Sequence, residues 1–224
     1  MRLSLIGMAG SGKSYWSTRL AAHGFLRFCC DDLIAEKLAA DLTGPDGGTL
    51  SMGEWMGFPY EPRYKDHESR YLALEAEVMT EIIKYLEGMS DCPGGNIVVD
   101  TTGSVIYTVE ETLERLRRYT TIVYLSIPPQ VHEQFLEAYL ITPHPMLWRD
   151  TFHKEPHETN EEALARCYPI LVSQRQGLYE RYADVTIDYH RRSSQGFGVR
   201  EFLEAAREIA EPSGPMQGPK NESA

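Results

Sequence analysis

Basic residues are scarce in this sequence. Lysine occurs only at positions 13, 37, 65, 84, 154 and 220, and 22 Lys and Arg face 33 Asp and Glu, giving a formal net charge of −11. Binding through a nucleic-acid backbone needs a basic stripe that releases counterions, so no nucleic-acid partner is expected. Cysteine is also sparse. The four at 29, 30, 92 and 167 include an adjacent pair that neither bridges easily nor has chelating spacing, which points to reduced thiols in the cytoplasm. Long apolar runs are missing: Ile122–Ile127 is typical and falls far short of the roughly 20 residues that cross a bilayer. The amino-terminal run meets a glycine by Gly7, so neither a signal peptide nor a membrane span is expected. What is present is ordinary for a globular chain, with 224 residues, 42% hydrophobic and 25% charged, enough for a sizeable core in one or at most two domains.

Short β-rich runs alternate with longer segments of helical period, as in parallel sheets joined by crossover helices. The strands expected are 2–6, 26–29, 96–99, 121–126 and 185–187. The helices are 13–22, 32–41, 67–86, 109–119, 129–139, 161–183 and 198–210. Together they predict an α/β fold with a five-stranded parallel sheet, one domain over 1–210. Two stretches break the alternation, 43–66 and 142–160, both rich in Gly or Pro, and long irregular insertions of this kind read as flaps over a site. The Pro- and Gly-rich 211–224 reads as a disordered tail.

The most specific motif is Gly7-Met-Ala-Gly10-Ser11-Gly12-Lys13-Ser14, which fits G-x-x-x-x-G-K-[ST] between the first strand and the first helix. Glycines there let backbone N–H groups turn inward around phosphate, and the helix amino terminus adds partial positive charge. Lys13 is then placed for the β- and γ-phosphates of ATP, and Ser14 for Mg²⁺. Asp100 ends the apolar run Ile97-Val-Val at the sheet edge where such sites lie, and reads either as a water-mediated Mg²⁺ ligand or as the start of a turn. Asp31 and Asp32 end the second strand at the same edge. One of them can cap the following helix, which leaves the other for a substrate hydroxyl or the metal, and Asp32 is the preferred candidate. His153 and His157 have helical spacing, but Pro156 disfavours the helix that would converge them on zinc. Trp55 and Tyr60 read as core residues or as stacking groups for a ligand ring.

The phosphate loop, Asp32-Leu-Ile-Ala-Glu36, Ser51-Met-Gly-Glu54-Trp-Met56, Tyr64-Lys65-Asp-His-Glu68 and Leu178-Tyr179-Glu-Arg-Tyr-Ala183-Asp184 together resemble the shikimate kinases, in the same order from about residue 2 to 203. The resemblance implies a P-loop fold like that of the nucleoside monophosphate kinases, with a substrate flap and a nucleotide flap, and phosphoryl transfer from ATP to a ring hydroxyl of an acceptor such as shikimate. It also implies that Asp32 approaches the reacting hydroxyl, that Arg175 grips a substrate carboxylate and that Arg191 and Arg192 lie near the adenine.

The departures from that family are specific. Cys30 stands where the family has an aspartate, Lys65 where it has a second carboxylate-binding arginine, and Thr101-Thr102-Gly103 where it has three glycines that admit the substrate ring. Side chains at 101 and 102 would change the pocket shape. The nucleotide flap reads His144-Pro145-Met146-Leu147 and lacks the family's arginine, a place that Arg149 or a protonated His144 would fill. The expected activity is transfer of the ATP γ-phosphoryl, with Mg²⁺, to a hydroxyl of a small anionic metabolite by a monomer or small homo-oligomer. The alternative is a nucleotide-binding switch that phosphorylates no small molecule.

Overall fold

The computed structural model describes residues 1–43, 47–89 and 95–208; the expected tail, 211–224, and Cys92 lie outside the described residues. Five strands form one parallel sheet in the order β2-β3-β1-β4-β5: β1 (Arg2–Ile6), β2 (Leu26–Cys29), β3 (Ile97–Asp100), β4 (Thr121–Leu125) and β5 (Val185–Ile187). Each lies within a residue of its sequence expectation. The central strands are readable because both their faces are covered, so β1, β3 and β4 are buried at nearly every position and mostly apolar. Side chains alternate between two cores. Leu3, Leu5, Val98, Val123 and Leu125 join Trp16, Leu20 and Phe202 on one side, while Ile6, Ile97, Val99, Ile122 and Tyr124 join the larger cluster on the other.

The helices are α1 (Lys13–Ala21), α2 (Cys30–Lys37), α3 (Met52–Met56), α4 (Tyr64–Gly88), α5 (Glu110–Tyr119), α6 (His132–Ile141), α7 (Asn160–Tyr182), α8 (Tyr189–Ser193) and α9 (Val199–Ala205). Three differences from the sequence reading shape the site. First, α2 starts at Cys30 rather than Asp32, so it leaves β2 without a connecting residue and carries Asp31 and Asp32 in its first turn, where unpaired N–H groups favour acidic side chains. Second, α4 begins a turn before His67, because the buried stripe of Tyr71, Val78, Met79, Ile82 and Leu86 extends back through Glu68 and Tyr64 at helical spacing. Third, 43–66 contains α3, whose start is fixed by a capping box in which Ser51 Oγ accepts from Glu54 N and Glu54 accepts from Ser51 N.

The 142–159 segment is irregular but anchored. Met146, Leu147 and Trp148 are buried, and Tyr64 Oη donates to Met146 O at 2.7 Å and accepts from Trp148 N at 2.7 Å. Gly53 on α3 lies so close to this segment that a Cβ there would sit 1.9 Å from Pro143 O. Among the described residues, no helix is long and apolar enough to cross a membrane.

Candidate active site

The phosphate loop leaves β1 at Gly7 and enters α1 at Lys13. Gly7, Gly10 and Gly12 have φ of 144°, 81° and 94°, conformations that L side chains rarely adopt, and a Cβ at Gly7 would lie 2.9 Å from Leu125 O. Lys13 is 7% exposed and folds back to donate to Gly7 O at 2.8 Å and Met8 O at 3.1 Å. Burial lowers its pKa, opposed by the charges of Asp100 and Asp31. Ser11 is buried, and its hydroxyl oxygen has no hydrogen-bond partner.

Beside this loop lies a cavity of about 430 Å³. Gly10, Gly12, Lys13, Ser14 and Tyr15 form one end, and the rest of the wall includes Asp31 from α2, Met52 from α3, Tyr71 from α4, Gly103 after β3, and His144 and Pro145 from the irregular segment. The wall thus gathers the carboxyl ends of β1, β2 and β3 with α3, α4 and the irregular segment, at the sheet edge where such sites lie.

The acidic residue on this wall is Asp31, not Asp32. Successive helical residues point about 100° apart, so with both carboxylates in the first turn of α2 only one faces inward. Tyr71 Oη donates to Asp31 Oδ1 at 2.8 Å, and desolvation raises the Asp31 pKa. Asp32 is 72% exposed, 3.7 Å from Arg27. Behind the wall is Glu75, which sequence reasoning missed. It is 1% exposed and accepts from Ser104 Oγ at 2.9 Å, its Oε2 has no partner, and burial pushes its pKa up to about 8. A carboxylate on the stripe Tyr71, Glu75, Val78, Met79 was the available signal: position 75 falls on the apolar face of α4.

The remaining expected residues divide sharply. Asp100 is buried, and its Oδ2 accepts from Ser17 Oγ and Arg27 Nη2, each at 2.8 Å, so its carboxylate is held within a Ser17–Arg27 network. Thr101 and Thr102 turn away from the cavity. Thr101 Oγ1 donates to Leu5 O at 2.7 Å, and Thr102 Oγ1 accepts from Ser104 N at 3.2 Å, so neither reshapes the pocket as expected; only Gly103 of this turn reaches it. Lys65 is exposed and is not part of the wall, since the inward positions on its turn of α4 are Tyr64 and Glu68.

Arg175 is 2% exposed and already committed. Its Nη2 donates to Leu147 O at 2.6 Å, Nη1 to Gly103 O at 3.3 Å and Nε to the Tyr107 hydroxyl at 3.3 Å. It braces the Gly103 turn against the 142–159 segment from behind. Arg191 is exposed and pairs with Glu208, outside the cavity wall. Arg192 is buried and holds the phosphate loop, its Nη2 donating to Ser11 O and Ser126 O, each at 3.0 Å, while burial lowers its pKa to about 10. His144 reaches the wall as a neutral group: burial lowers its pKa to about 4, which removes the protonated form as a substitute for the flap arginine. Arg149 is exposed over the Tyr107 ring. Trp55 stacks on His67 and Tyr60 on Phe58, and neither lines the cavity.

A glycine-rich phosphate loop between the first strand and first helix of a five-stranded parallel sheet, with walls from the opposite core, defines the P-loop fold of the nucleoside monophosphate kinase type. Among solved structures it is similar to shikimate kinases. That from Acinetobacter baumannii in complex with shikimate is 22% identical, over 91% of this chain and 88% of that one, with a TM-score of 0.57. That from Aquifex aeolicus vf5 is 22% identical over 92% and 95%, with a TM-score of 0.57. The Bacteroides thetaiotaomicron shikimate kinase is 16% identical over 91% and 97%, with a TM-score of 0.56. The likeness is one of fold. No protein-family model matches the chain, and no curated protein matches it.

Proposed function

We propose that the protein is an ATP-dependent small-molecule kinase that transfers the γ-phosphoryl group to a hydroxyl of its acceptor. The observation that carries this is that one cavity is walled at one end by the phosphate loop and on the side by Asp31. A phosphoryl donor and a hydroxyl need to meet in line, and a carboxylate beside the phosphate cradle is the group that orients the hydroxyl and takes its proton. Burial of Asp31 supports this, because a raised carboxylate pKa brings a general base nearer to working pH.

Lys13, freed from Gly7 O and Met8 O, would donate to phosphate oxygens in a site where low dielectric strengthens the contact. Ser14 faces the cavity and fits the donor set for Mg²⁺, an ion that is held by few protein groups plus phosphate and water; Asp100 would act through water while Arg27 and Ser17 fix its carboxylate. The metal would neutralise charge on the transferred group. Among the described residues no three His, Cys, Asp or Glu side chains gather as a metal site of their own, in keeping with an ion brought by nucleotide. Met52 from the expected substrate flap and His144 and Pro145 from the expected nucleotide flap would wall the acceptor side. The described cysteines, 29, 30 and 167, are free, which suits the reducing cytoplasm.

The test is acceptor-dependent ADP release over a set of hydroxyl compounds that includes shikimate, with Lys13→Ala as control. Turnover by the wild type and its loss in Lys13→Ala is the expected result. ATP binding with no acceptor phosphorylated would refute the reading in favour of a nucleotide-binding switch.

A further inference from the structure

We propose that the acceptor is a polyhydroxylated compound without a carboxylate or phosphate, uncharged or carrying an ammonium group. The inference rests on the kinase reading above and assigns its substrate class. Among the described residues on the cavity wall, Lys13 alone is a cationic side chain, and it lies at the phosphate end.

The two groups that a carboxylate would need are elsewhere. Lys65 is exposed and off the wall. Arg175 spends Nε, Nη1 and Nη2 on Tyr107 Oη, Gly103 O and Leu147 O, and the Gly103 turn stands between it and the cavity, close enough that a Cβ at Gly103 would be 3.4 Å from Nη1. For Arg175 to meet an acceptor carboxylate, the Gly103 turn and Leu147 would both have to release it. Tyr179 Oη also donates to Gly103 O, at 2.5 Å, and fixes the same turn.

What the acceptor end does offer is hydrogen-bond acceptors. Asp31 presents a carboxylate whose Oδ1 is oriented by Tyr71. His144 bonds the backbone of Thr142 and leaves Nε2 without a partner; with the ring proton used on that bond, Nε2 is an acceptor. The Asp31 carboxylate repels an anion, and it and His144 Nε2 are satisfied by O–H or N–H donors. Met52 and Pro145 add apolar surface suited to the C–H face of a sugar-like ring. The cavity, about 430 Å³, is of a size for a small ligand.

A matched set isolates the charge: glucose, sorbitol and glucosamine against gluconate, glucose 6-phosphate and shikimate, each with ATP and Mg²⁺ and the full chain, read by coupled ADP release. An uncharged or amino compound should show kcat/KM at least about tenfold above that of every anion in the set. Highest kcat/KM for gluconate, glucose 6-phosphate or shikimate overturns the proposal while leaving the kinase reading intact. No acceptor-dependent ADP release from any member, with ATP still bound, overturns both.

Discussion

The contact between α3 and the 142–159 segment can be tested with one methyl group. In Gly53→Ala the new Cβ would sit 1.9 Å from Pro143 O, 2.3 Å from Pro143 C and 2.8 Å from His144 N, all backbone atoms that have no rotamer to escape through. Reaching even 3.0 Å, the limit that real Cβ atoms respect, requires about 1 Å of displacement of the segment or of α3. Overpacking of this kind costs about 1–3 kcal/mol, while the Gly to Ala change inside a helix returns up to ~1 kcal/mol. A 1.9 Å approach to backbone belongs at the upper end of that cost, so the net loss of roughly 2 kcal/mol lowers Tm by about 4–8 °C for a chain of this size. The same displacement moves His144 and Pro145, which wall the acceptor end, and a 1 Å misplacement costs up to about 100-fold in turnover. The expected result is therefore a lower Tm in thermal denaturation and a fall in acceptor kcat/KM, with the KM for ATP nearly unchanged because the phosphate loop is not touched. Helix propensity alone predicts the opposite sign, so a Tm equal to or above that of the wild type would refute the close approach.

Asp31→Asn should lower kcat by about 10²–10⁴, the range for a general base, whereas Asp32→Asn, on the exposed side, should leave it within a few-fold; equal losses in steady-state assays would reverse the assignment. Glu75 has a pKa raised to about 8 in the folded chain against an ordinary carboxylate when unfolded, so the native state holds the extra proton between about pH 4.5 and 8 and stability falls as pH rises through that window. Glu75→Gln keeps an acceptor for Ser104 and should flatten that fall, read as urea midpoints at pH 5 and pH 8; parallel pH dependence in both proteins would contradict the raised pKa of Glu75. Arg175→Met removes the donor to Leu147 O and should cost about 1–3 kcal/mol for the acceptor left unsatisfied, visible as a lower urea midpoint, while an unchanged midpoint would remove it as a brace.

The sheet was legible in the sequence because its central strands are apolar on both faces, and the phosphate loop because its chemistry admits few residue types. Direction was not legible. Asp31 and Asp32 are indistinguishable in a linear motif until α2 is seen to begin at Cys30, and that start depends on how β2 hands over to the helix. Lys65 and Arg175 occupy the right places in order, yet which way each points is set by packing: the Tyr64 stripe takes the inward turn of α4, and the carbonyls of Gly103 and Leu147 take the guanidinium. Thr101 and Thr102 likewise spend their hydroxyls on Leu5 O and Ser104. Glu75 was readable as a charge on an apolar face, but its partner Ser104 lies across the chain, where periodicity gives no view.

The hydrogen bond from Arg192 to Ser11 O spans 181 positions. During synthesis Ser11 leaves the ribosome 181 residues before Arg192, whose guanidinium holds the loop and also bonds the carbonyls of Ser126 and Ile187. A nascent chain stopped before position 192 has the complete glycine motif but a loop without its clamp. Under the proposed function, nucleotide affinity is acquired only once position 192 has been made.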